Sequence, residues 1–221
     1  MKKIIIFGSG NHAKVIYSEI IKIKSLKFLG FVDEDKKKGE IIINGKKKFT
    51  NLGNMSKILH KKNNFSGIIG VGSNFLRKKV YDDIILLDKH FKFEKIISKH
   101  AIVDPSVTIG RGSFVVSGSV INIGTKIGDH CLINTSTSID HDNIFEDFSS
   151  TGPGVKTGGN VLVEKKSHIG LGSSVKQGVK IFKDCVIGAN SYVNQNCEKN
   201  SLYFGSPIKK IKYRKEFENY L

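Results

Sequence analysis

The chain has 221 residues, 39% of them hydrophobic and 25% charged, which fits a soluble globular protein of one large or two modest domains. No apolar run approaches the roughly 18 residues of a membrane-spanning helix, so no membrane span is expected. The formal net charge is +16, but only Arg77, Arg111 and Arg214 are arginines and the lysines are spread from Lys2 to Lys210. That pattern reads as a solvated lysine surface rather than a nucleic-acid groove, while its field still favours anionic small molecules.

The N-terminal third alternates strands with helical patterns. Lys3 to Phe7 is an apolar run of the kind found in a buried parallel strand. It is too short for a signal peptide and stops at Gly8. Gly8-Ser9-Gly10-Asn11-His12-Ala13 follows, and then a helical spacing through Val15, Ile16, Glu19 and Ile20. A second strand, Phe28 to Val32, ends at Asp33; a third, Ile68 to Val71, ends at Gly72 and leads into a helix carrying Arg77. A fourth short strand is expected near Phe93 to Ile97. The arrangement predicts a small Rossmann-like βαβ domain.

Gly8, Gly10 and Ala13 form a GxGxxA turn, with an acidic residue after the second strand. Glycines let the backbone approach a pyrophosphate, and the helix N-terminus presents N–H groups to it. The same turn serves NAD, a nucleotide-linked sugar or a ligand-free βα connection. The short domain, with no dehydrogenase domain behind it, favours the sugar nucleotide. His12, at the helix start, is within reach of a phosphate in that reading.

From Val103 a six-residue period runs without a break to about Cys197. Stepping by six from Val103 to Val193 gives sixteen residues, fourteen of them large and apolar. A second series, four residues later in each hexad, is small or β-branched except at Asn143. Neither a helix nor an alternating strand has this period; a stacked solenoid does. Three hexads make one coil of a parallel β-helix with a triangular section, and sixteen make about five coils. Cys131, Cys185 and Cys197 fall in the inward small series, so they read as buried hydrophobes. Their odd number and the lack of a CxxC argue against disulfides or zinc, and suit a reducing cytoplasm.

Chemistry is expected where polar residues break the repeat. In Asp140-His141-Asp142-Asn143 a histidine is flanked by two carboxylates at a corner of the coil. A carboxylate can hold one ring nitrogen as the N–H and leave the other free to take a proton. Neighbouring carboxylates should raise the pKa of that imidazole. One coil further on stands Gly159, whose backbone N–H suits an oxyanion donor. His130 and His168 lie in ordinary hexads and read as surface residues.

Taken together, Gly-Ser-Gly-Asn-His at residues 8–12, the hexads around Asn134 and Ile139-Asp-His141-Asp142, and Gly205-Ser-Pro207 resemble one family. It is the family of bacterial sugar acetyltransferases of the hexapeptide-repeat type, which includes UDP-4-amino-sugar N-acetyltransferases and sialic-acid O-acetyltransferases. The resemblance runs from about residue 3 to residue 211. It implies an α/β Rossmann-like nucleotide-sugar-binding domain over residues 1–98 and a left-handed parallel β-helix acetyltransferase domain over 99–200. A C-terminal tail with a short helix, including Tyr213, Phe217 and Tyr220, is expected over 201–221.

The resemblance makes His141 the base and Asp142 the neighbour that strengthens it. Gly159 matches the amide facing the thioester carbonyl, and Asn134 matches a contact to the sugar near its amine. Gly10, Asn11 and His12 match the loop that holds the phosphates, Asp33 and Glu34 the acidic pair near the nucleoside, and Gly72 the same pocket. Leu171, Ser173 and Ala189 fall where pantetheine runs, with Pro207 and Lys209 near the adenine of coenzyme A.

Two positions depart from the family pattern. Many relatives carry a second histidine where this chain has Ser150, whose hydroxyl could still donate one hydrogen bond to the cofactor. Ile208 replaces a family alanine and is expected to alter the coenzyme A exit.

The implied activity is cytoplasmic transfer of an acetyl group from acetyl-CoA, without a metal, to the 4-amino group of a nucleotide-linked deoxysugar. The implied setting is bacterial surface-glycan biosynthesis, in a homotrimer whose active sites form between subunits. O-acetylation of sialic or legionaminic sugars, and non-catalytic sugar-nucleotide binding, remain the alternatives.

Overall fold

The computed structural model describes residues 1–60, 64–215 and 218, and the chain divides into two compact units. One comprises Met1–Gly72 and Leu76–Ile96; the other comprises Ser73–Phe75 and Ile97–Leu221.

The first unit is built on β1 (Lys2–Phe7), whose four residues Ile4 to Phe7 are buried. After it come α1 (Asn11–Ile20), β2 (Leu26–Val32), a β3–β4 hairpin (Ile41–Asn44, Lys48–Thr50), α2 (Met55–Leu59), β5 (Ser66–Ile69) and α3 (Asn74–Leu87). The sheet is parallel with order β2–β1–β5, so Phe7 lies between Val32 and Ile69. A strand covered on both faces needs apolar residues at successive positions, which explains the unbroken Ile-Ile-Ile-Phe run. α1 buries Ala13, Ile16 and Ile20, spaced as one helical face. Phe7 meets Phe91 edge to face, with ring centroids 5.5 Å apart.

The expected fourth strand differs. Phe93 makes only a single parallel bridge to Gly67, while β6 (Ile96–Ile97) joins the solenoid sheet instead. The β3–β4 hairpin was not legible, because its strands bury no residue fully and carry no alternation.

The second unit is a left-handed parallel β-helix. Its strands are two residues long, from Ile102–Val103 to Tyr192–Val193, and they form three parallel faces. Residues eighteen apart pair in register, as in Val103, Ile121, Ile139, Thr157, Val175 and Val193. The first hexad series thus becomes one apolar column. Burying a side chain of this size stabilises by roughly 1.5–3 kcal/mol.

The second series is small because it turns the corners. Its hydroxyls donate to carbonyls of the next coil, as in Ser113 to Gly128 (2.7 Å), Ser119 to Asn134 (2.9 Å) and Ser167 to Phe182 (2.7 Å). Cys131, Cys185 and Cys197 share this buried phase.

Three further expectations need correction. His130 is fully buried and stacks on Phe148, with centroids 5.0 Å apart, and His168 is buried too. Each ring is enclosed because its position faces a packed neighbour rather than water. Ile208 is buried in the solenoid core, so its bulk is turned inward. The tail forms an antiparallel pair, Ser201–Phe204 with Lys209–Tyr213, and Lys212 and Tyr213 are therefore extended rather than helical. Backbone pairing with the last coil outweighs local helix preference there. Phe217 and Tyr220 lie outside the described residues.

Candidate active site

The corners from Gly112 to Asn190 each place one residue in the left-handed region, which glycine, asparagine and aspartate tolerate best. Asp142 fills that place at φ 55°. The turn carries His141 outward from the end of the Ser138–Ile139 strand. His141 Nδ1 lies 2.9 Å from Asp142 Oδ2, and the backbone N–H of His141 donates to Asp140 Oδ1 at 2.9 Å. The bond to Asp142 raises the imidazole pKa above its ordinary value, with the charges of Asp140 and Asp142 adding to it and desolvation opposing it. Nε2 is left as the proton acceptor.

One coil along, Gly159 is buried against the imidazole. A Cβ on it would overlap Cε1 and Nε2 of His141, so only glycine permits this ring position. The Gly159 N–H has no acceptor among the described residues. At some matching turns the equivalent N–H is capped, as Arg111 is by Asp129 (3.0 Å) and Lys165 is by Glu146 (3.2 Å), while at Ile123, Leu171 and Gln177 it likewise has no acceptor among the described residues.

The structure thus brings His141, Asp142 and Gly159 together at one corner. Asn134, Leu171 and Ala189 stand at a different corner, across the face that contains Ser138–Ile139. Asn134 Oδ1 accepts from its neighbour Thr135 N at 2.8 Å, and its Nδ2 has no partner among the described residues. Leu171 is half exposed and Ala189 lies exposed eighteen residues further along the same edge. Ser173 lies behind them inside the coil, its Oγ donating to Gly188 O at 3.0 Å. Ser150 is buried with Oγ 2.8 Å from His168 Nδ1, so neither serine presents a free hydroxyl to solvent. Pro207 and Lys209 are exposed in the C-terminal hairpin.

In the first unit a cleft of about 350 Å3 opens beside Gly8, Asp33, Glu34, Asp35, Lys79 and Asp83. That volume is in the range of small-ligand sites. Asp33 is held there by Ser9, whose Oγ donates to Oδ2 at 2.6 Å, and by Asn51, which bonds the Asp33 backbone. Glu34 accepts from Met55 N and Asn54 Nδ2, both at 2.7 Å, which fastens the start of α2.

Gly10, Asn11 and His12 begin α1, whose N-cap Gly10 has no capping side chain. The His12 pKa is lowered to about 4, first by burial and then by the Arg77 charge. At neutral pH the ring is therefore uncharged. Arg77 in turn donates to Val71 O (3.0 Å) and Gly72 O (2.8 Å), which fixes the loop after β5. Ser9, Asn51, Lys79 and Asp83 were missed in the sequence because no local pattern marks them.

Comparison with known proteins follows the same division. Residues 3–84 match the family model described as the PglD N-terminal domain, and residues 160–195 match the hexapeptide repeat of succinyl-transferase. A histidine-to-asparagine variant of perosamine N-acetyltransferase from Caulobacter crescentus, solved with CoA and GDP-perosamine, superimposes with a TM-score of 0.86. It is 26% identical, and the match covers 96% of this chain and 98% of that one. The chain resembles the hexapeptide-repeat sugar acetyltransferases.

Two more relatives of these acetyltransferases agree with that resemblance. The acetyltransferase domain of PglB from Neisseria gonorrhoeae FA1090 is 26% identical with a TM-score of 0.83, covering 96% of this chain and 100% of that one. GDP-perosamine N-acetyltransferase of Escherichia coli O157:H7 is 29% identical over 123 residues, 55% of this chain and 53% of that protein. The chain spans about half the length of the curated relatives it matches. Among the described residues there is no cluster of three or more His, Cys, Asp or Glu placed to hold a metal ion. No described helix is long and apolar enough to cross a membrane.

Proposed function

We propose that this protein transfers the acetyl group of acetyl-CoA to the 4-amino group of a nucleotide-linked amino-deoxysugar, with His141 as general base. The observation that carries the reading is the 2.9 Å contact of His141 Nδ1 with Asp142, made directly over Gly159. Asp142 holds the N–H on Nδ1, and Nε2 takes a proton from the amine as its nitrogen attacks the thioester carbon. The Gly159 N–H donates to the oxyanion, the C–S bond breaks, and the thiolate of coenzyme A leaves and takes the proton back from His141.

The nucleotide binds in the cleft beside Asp33 and Glu34, its diphosphate at the α1 N-terminus with Gly10, Asn11, His12 and Gly72. Asn134 donates from its amide to the sugar. Pantetheine follows the edge of Leu171 and Ala189, backed by Ser173 and Ser150, and the adenine end meets Pro207 and Lys209. His141 and the Leu171 edge stand at opposite ends of one solenoid face, which supports a homotrimer whose active sites join two subunits. Both co-substrates are cytoplasmic metabolites, so the reaction is assigned to the cytoplasm, in the making of a surface glycan.

The test is thiol release from acetyl-CoA in the presence of GDP-, UDP- and dTDP-linked 4-amino sugars, for the wild type and His141→Ala. The wild type should release thiol with one of them, and His141→Ala should lose about 10²–10⁴-fold in kcat while still binding acetyl-CoA. Near-normal turnover by the variant removes His141 from its role. Thiol release only with a sialic-type acceptor transfers the reading to O-acetylation.

A further inference from the structure

Asn143 is the one residue of the inward small series that is neither small nor β-branched. It is fully buried, and its amide has four hydrogen-bonding partners. The two N–H bonds of Nδ2 are shared among Asp140 O (2.7 Å), His141 O (3.2 Å) and Gly158 O (3.0 Å), while Oδ1 accepts from Val161 N (3.2 Å). The partners fix which end is nitrogen, since three are carbonyls and the fourth is an N–H.

The solenoid does not need this side chain in order to close. Val155, Val161 and Val179 occupy the same phase with no polar group and are equally buried. Where the series is polar, a single hydroxyl suffices, as Thr125 shows by donating to Asp140 O at 2.9 Å. Asn143 does more than such a hydroxyl. It ties the carbonyls of its own turn, on either side of the His141 α-carbon, to the coil that carries Gly158 and Gly159.

The bond to Gly158 also sets a direction. The Gly158–Gly159 peptide is trans, so its C=O and N–H point opposite ways. With the carbonyl drawn inward to Asn143, the Gly159 N–H is turned away from the coil interior. Donation to the carbonyl also polarises the peptide and strengthens its N–H as a donor.

We infer that Asn143 is a positioning residue for the acyl transfer proposed above, holding the His141 turn and the Gly159 amide in one geometry through a buried amide that spans two coils. The inference rests on the reading of His141 as the base. Asn143→Thr keeps a hydroxyl for Gly158 O, in the manner of Thr125, but gives up the bonds to its own turn. Asn143→Val gives up both, and Val161 shows that the fold accepts valine at this phase.

Both variants should melt cooperatively and bind acetyl-CoA as the wild type does. We expect kcat to fall about 10-fold for N143T and about 100-fold for N143V, as for a misplaced catalytic group, with KM for both substrates within about 2-fold. The acid limb of the N143T rate profile should move to lower pH as His141 loosens from Asp142, and an NMR titration of the His141 imidazole should show the same direction. A folded N143T with wild-type kcat and an unmoved acid limb overturns the inference. If the wild type releases no thiol at all, the acetyl-transfer reading fails separately. The imidazole titration then still decides whether Asn143 holds the turn, an unmoved His141 pKa in N143T counting against it.

Discussion

In the solenoid, Ile139 is flanked by Ile121 and Thr157, the residues eighteen before and after it, and the interior positions of the column, Ile121 and Val175 among them, follow the same rule. In the N-terminal unit, Asp33 is held by Ser9 beyond β1 and by Asn51 beyond β4, partners that no period relates. The first region is a one-dimensional stack whose geometry is set by nearest neighbours. The second is a sheet whose loops are fastened one by one through side-chain amides and carboxylates. In a regular stack the structural polar groups repeat as a ladder of hydroxyls, so a residue that departs from that ladder, as His141 and Asn143 do, stands out. In the sheet unit polar side chains are needed to hold the loops, and the same residue types point equally to structure.

Three substitutions test that contrast. Gly159→Ala should have the largest effect on activity, because the new Cβ displaces the His141 ring. We expect kcat to fall about 10²-fold with little change in melting temperature, and steady-state kinetics beside a thermal melt will read both. A variant that melts far lower would show that Gly159 serves the stack rather than the reaction.

Asn51→Ala should do the reverse. It is almost fully buried and its amide bonds Asp33 N (3.0 Å), Asp33 O (2.9 Å) and Lys36 O (2.7 Å). Leaving these groups without partners should cost about 1–3 kcal/mol in a denaturant titration. Nucleotide affinity should weaken with it, and His141-dependent chemistry at saturating substrate should not change. Unaltered stability would mean that water replaces the amide freely and that the loop is not held as described.

Asp142→Asn should have the smallest effect on rate. Its bond is the main reason the His141 pKa is raised, and a general base, the role proposed for His141, works only when unprotonated. Replacing the carboxylate lowers that pKa, so the acid limb of the kcat profile moves to lower pH while the plateau falls several-fold with the weaker base. The exposed pair should add little to stability. An acid limb that stays in place would remove Asp142 as the source of the shift.

The difference between the regions also explains what could be read in advance. The fold of residues 103–193 was legible because a strict period leaves a single stacking solution, and the His141 corner was legible because two carboxylates and a histidine interrupt it. The burial of His130 and His168 was not, since outward phase places a side chain outside its own coil without saying whether other atoms cover it. Neither was the inward turn of Ile208, which follows from how the C-terminal hairpin folds onto the last coil.

By itself the sequence determined the solenoid, its inward column, the parallel βαβ character of the N-terminal unit and the identity of the histidine flanked by acids. All of these are set by local spacing, which chain order records directly. Only the tertiary structure decided that Gly159 lies beneath the His141 ring, that Asn143 joins two coils under it, and that Ser9 and Asn51 hold Asp33. Those contacts depend on ångström-scale distances between residues far apart in the chain, and a spacing pattern carries register but not distance.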